Sequence, residues 1–71
     1  MKELVLDVIN LAIEKEDSLA VGFGEMKVKL NNIKDDLFCL VIEQKNLNNY
    51  AIYFQKQGDQ EINLNTVKRL S

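Results

Sequence analysis

Residues 35–44 read DDLFCLVIEQ, six consecutive apolar side chains from Leu37 to Ile42 held between two aspartates and a Glu-Gln pair. The run is far short of the ~18 apolar residues that a membrane helix needs. It has the length of a strand, and a strand sends successive side chains to opposite faces. A strand apolar at both parities therefore needs cover on both sides. What supplies each cover decides the fold.

Toward the N-terminus, EMKVKL (25–30) alternates without a break. Met26, Val28 and Leu30 share one face and Glu25, Lys27 and Lys29 the other, the pattern of a half-buried strand. NNIKDD (31–36) between the two runs is turn chemistry, because Asn and Asp tolerate left-handed backbone and bond their own main chain. Toward the C-terminus, KNLNN (45–49) predicts a loop and YAIYFQ (50–55) a third strand rich in aromatic and β-branched residues. The three strands predict an antiparallel meander with Met26, Val28, Leu30, Phe38, Leu40, Ile42, Tyr50, Ile52 and Phe54 on one face. KQGDQ (56–60) is a further turn around Gly58-Asp59, and EINL (61–64) a short fourth strand with Ile62 and Leu64 inward. For the tail the expectation is a short turn or helix capped by Asn65, which would set Val67 and Leu70 inward and Lys68 and Arg69 near a helix C-terminus. Helix and strand both remain open there.

The cover for the first face lies at the start of the chain. From Lys2 to about Lys15 the apolar residues recur at helical spacing, with Leu4, Val8 and Leu11 flanked by Val5, Ile9 and Ala12. At 100° per residue, Glu3, Asp7, Asn10 and Glu14 fall on one narrow solvated stripe. Leu6 and Ile13 lie at the far edge of the apolar arc, beyond what one sheet face would cover. Glu14, Glu16 and Asp17 crowd the end of the helix, where the macrodipole disfavours anions, so the helix is expected to stop there. Gly22 and Gly24 then permit the reversal into the first strand. The expected fold is α+β: one domain over 1–71, an N-terminal amphipathic helix on a three- to four-stranded antiparallel meander.

The second face has no such cover in the sequence. It carries Lys27 and Lys29, then Leu37, Cys39 and Val41, then Ala51, Tyr53 and Gln55. The apolar strip flanked by lysines is of the kind that marks an interaction site. The competing expectations are that the C-terminal segment folds back over the strip, or that the strands curl into a small barrel. A one-residue slip in register would exchange the two faces.

Size sharpens the point. A 71-residue chain buries only roughly 60 to 65% of the surface its unfolded form exposes, so small domains lean on disulfides, metals or oligomerisation. With one cysteine and no histidine, an intrachain disulfide and a zinc ligand set are both ruled out. Self-association or very good packing remains. The balance of 46% hydrophobic to 28% charged residues is that of a globular chain and not a disordered one.

Chemistry is absent from the pattern. Without histidine there is no Ser-His or Cys-His nucleophile pair, and Cys39, mid-strand among apolar neighbours, is in the setting of an inert thiol. The carboxylates Asp35 and Asp36, and Glu14, Glu16 and Asp17, sit at turns or a helix end and lack calcium-loop spacing. GFG (22–24) precedes a strand, whereas a phosphate loop precedes a helix. No catalytic residue, cofactor site, metal site or small-molecule substrate is expected. The acids of the helix stripe read as an ordinary solvated face, since three are few for a mimic of a phosphate backbone.

The functional expectation is a non-enzymatic protein-interaction module, a small accessory, adaptor or inhibitor-type protein. It would bind itself or another protein through Lys27, Lys29, Leu37, Cys39, Val41 and Tyr53. The alternative is a single-stranded nucleic-acid-binding sheet using Lys27, Lys29 and Tyr53 for phosphate contact and stacking. A net charge of −2 weighs against that alternative. Acids throughout MKELVLDVINLAIEKED exclude a signal-peptide core, no membrane association is expected, and a lone thiol suits a reducing compartment. The expected location is the cytoplasm.

Overall fold

The computed structural model describes residues 2–15, 25–58 and 61–70. Helix α1 spans Lys2–Lys15, and strands β1 (Met26–Lys34), β2 (Leu37–Gln44), β3 (Tyr50–Gln57) and β4 (Glu61–Arg69) follow. They form a single antiparallel sheet in the order β1-β2-β3-β4. The expected α+β architecture is therefore the one observed. Glu16 and Asp17, expected at the end of the helix, and Gly22, Gly24 and Asp59, expected in turns, lie outside the described residues.

The register follows the alternation. Val28 stands opposite Ile42 and Leu30 opposite Leu40, while Phe38 faces Phe54, Leu40 faces Ile52 and Ile42 faces Tyr50. Phe38 and Phe54 stack with ring centroids 5.6 Å apart and planes inclined by 17°. Leu40, Ile42, Ile52 and Phe54 are wholly buried, and Val8, Ile9 and Ala12 of α1 close over them. The solvated stripe of Glu3, Asp7, Asn10 and Glu14 is exposed along its whole length. Leu6 is half exposed, as its place outside the arc requires, whereas Ile13 packs at the margin of the core. The helix lies over β3 and β4, so Met26, Val28 and Leu30 on β1 are only partly buried.

Two segments differ from the sequence expectation. Asn31, Asn32, Ile33 and Lys34 continue β1, and the turn shrinks to Asp35-Asp36. Register slips between Asn32 and Lys34, leaving Ile33 as a bulge. The amide of Asn32 donates to the carbonyl oxygens of Asp35 (3.0 Å) and Leu37 (3.3 Å), so a side chain typical of turns braces the turn from inside the strand. Asp35 takes the left-handed conformation at φ 48°.

The tail is the second difference. No helix forms after Asn65; β4 runs on to Arg69. Leu64 pairs with Phe54 and Thr66 with Tyr53, so Asn65 is the extra residue of a β-bulge. The three-residue step from Val67 to Leu70, which suggests a helical turn, is not realised as one: past the bulge Val67 returns to the core face opposite Ile52. Leu70, expected inward, is 53% exposed. Its N–H donates to the Asn49 carbonyl at 2.7 Å and extends the ladder by one bond.

Candidate interaction face

Strand pairing fixes which side chains share the second face. The central rung is Asn31–Cys39–Tyr53–Thr66, and the next rung toward the β2–β3 loop is Lys29–Val41–Ala51–Lys68. In the other direction Leu37 stands opposite Gln55 and Gln55 opposite Asn63. Lys27 opposes Glu43 at the outer end. All six residues assigned from the sequence, Lys27, Lys29, Leu37, Cys39, Val41 and Tyr53, thus lie on one face, because the register carries no slip across Met26–Asn31 or across β2 and β3.

Among the described residues neither expected cover is present. The tail pairs edge to edge with β3 and does not cross the strip, and β1 and β4 are the two open edges of an unclosed sheet. Within the strip, exposure is uneven. Cys39 (8% exposed) and Ala51 (3% exposed) are small enough to lie beneath their neighbours, while Leu37, Val41 and Tyr53 are half-buried. The apolar surface left to water is thus carried by Leu37, Val41 and Tyr53.

Lysines frame this surface. The Lys29 ammonium is 3.8 Å from a Glu43 carboxylate oxygen, and Lys45 pairs with Glu25 at 3.4 Å. Both pairs are solvent-exposed and contribute little stability. Lys68 Nζ stands 5.6 Å from the centroid of the Tyr53 ring, a cation–π contact. Thr66 and Lys68 stand outside the six residues assigned from the sequence because the tail is open there between helix and strand. The signal that could have placed them was the β-branched pair Thr66-Val67, which favours a strand.

Tyr53 and Cys39 are neighbours on the central rung. The negative charge of a Cys39 thiolate, the side-chain hydrogen bond between the two groups and partial burial hold the Tyr53 phenol above its ordinary value. At the outer end of β1 and β2 an open depression of about 640 Å³ is lined by Glu25, Lys27, Glu43, Lys45 and Asn49 among others. Its alternating charges select no single sign of ligand. Among the described residues no group of three metal-ligating side chains converges, and no helix is long and apolar enough to cross a membrane.

No protein-family model, no curated protein and no solved structure matches the chain.

Proposed function

We propose that the chain is a non-enzymatic protein-interaction module of the cytoplasm, an accessory, adaptor or inhibitor-type protein that self-associates through the second face of its sheet. The observation that carries this reading is the half-buried strip of Leu37, Val41 and Tyr53 in an open sheet, which no described segment covers, the described tail lying beside it and not across it. Covering such a strip removes apolar area from water at about 25 cal/mol per Å², and a small domain gains proportionately more from that than a large one. The lone thiol supports the cytoplasmic assignment.

Light scattering after size exclusion across a wide range of protein concentration tests the reading. A dimer or larger species that grows with concentration is expected, and Val41→Glu should abolish it while leaving the circular dichroism spectrum intact. A strict monomer at every concentration sinks self-association.

A second reading, single-stranded nucleic-acid binding through Lys27, Lys29 and Tyr53, gains support from Lys68 on the same face. It ranks lower because Lys29 is paired with Glu43 and one aromatic ring is a short platform for stacked bases. It predicts salt-sensitive oligonucleotide binding weakened by Lys27→Ala and Lys29→Ala, and no retention at low salt rules it out.

A further inference from the structure

We draw no further inference here: the strongest candidate, the open edge of β1 beside the half-buried Met26, Val28 and Leu30, has its lysines Lys27 and Lys29 offset by Glu43 on the adjoining strand, and nothing in the structure shows what pairs with it.

Discussion

Tyr53 stands directly opposite Thr66, yet its chain neighbour Phe54 stands opposite Leu64. The one residue skipped between those rungs, Asn65, is what keeps Val67 on the core face and turns Lys68 toward the ring of Tyr53. A regular ladder would have put Lys68 against the core.

The faces of β4 should therefore survive loss of the bulge residue. Asn65→Ala, which leaves the chain length alone, is expected to change stability by no more than about 0.5 kcal/mol. Deleting Asn65 makes Leu64 and Thr66 chain neighbours opposite Phe54 and Tyr53, a regular ladder with Val67 still on the core face, and a change of no more than about 1 kcal/mol is expected. Denaturant midpoints of the two variants check this; a loss of roughly 2 kcal/mol or more on deletion would mean that the bulge itself supports the packing.

The helix offers a contrast within one element. Ile9 is 2% exposed and Leu6 50% exposed, so truncation should separate them. Ile9→Ala is expected to cost about 2–5 kcal/mol, whereas Leu6→Lys should stay within about 0.5 kcal/mol. Thermal unfolding compared at low protein concentration measures both, and a strongly destabilised Leu6→Lys would mean that the exposed edge of α1 is in fact covered.

The Asp35 backbone sets a conformational test. At φ 48° Asn or Gly fits as well as Asp, while a β-branched side chain meets the left-handed penalty of about 1–2 kcal/mol. Asp35→Val should lose that much stability and Asp35→Asn almost none. Urea titration distinguishes them, and a tolerated valine would show that the turn rearranges freely.

Tyr53 makes the fold sensitive to alkali. Its phenol titrates above the ordinary value of 10.0 in the folded chain, so the neutral form is the one folding favours. Below pH 10 both states hold the proton and this contribution is fully present. As pH rises beyond that, the unfolded tyrosine ionises first, and stability declines until the folded value has been passed. Tyr53→Phe should lose less stability than the wild type over this window. Identical declines in paired denaturation curves would remove Tyr53 as their source.

How much of this was open to reading in the sequence depends on the residue. Val28, Leu30, Leu40, Ile42, Ile52 and Phe54 announce themselves through alternation, because a strand half buried under one layer must repeat every second residue. The helix shows through its 3.6-residue spacing and its stripe of acids. Asn31, Asn32 and Ile33 misled because turn-forming side chains also suit an edge strand, where they face water and bind the adjoining turn. Thr66 to Leu70 misled because Val67 and Leu70 stand three apart, as on one face of a helix, whereas in the sheet Val67 faces Ile52 and Leu70 is exposed.

The amino-acid sequence on its own determined the elements of α1 and the first three strands, the face each core residue takes and the six clustered residues of the second face, since these follow from local periodicity. Tertiary structure alone decided that the tail runs as β4, that Lys68 joins Tyr53 and that the helix sits over β3 and β4 with β1 less well covered. Those features depend on hydrogen bonds to Tyr50–Gln57 and on packing between segments far apart in the chain. Within β4 itself only the β-branched pair Thr66-Val67 points that way, a preference too small to decide between strand and helix.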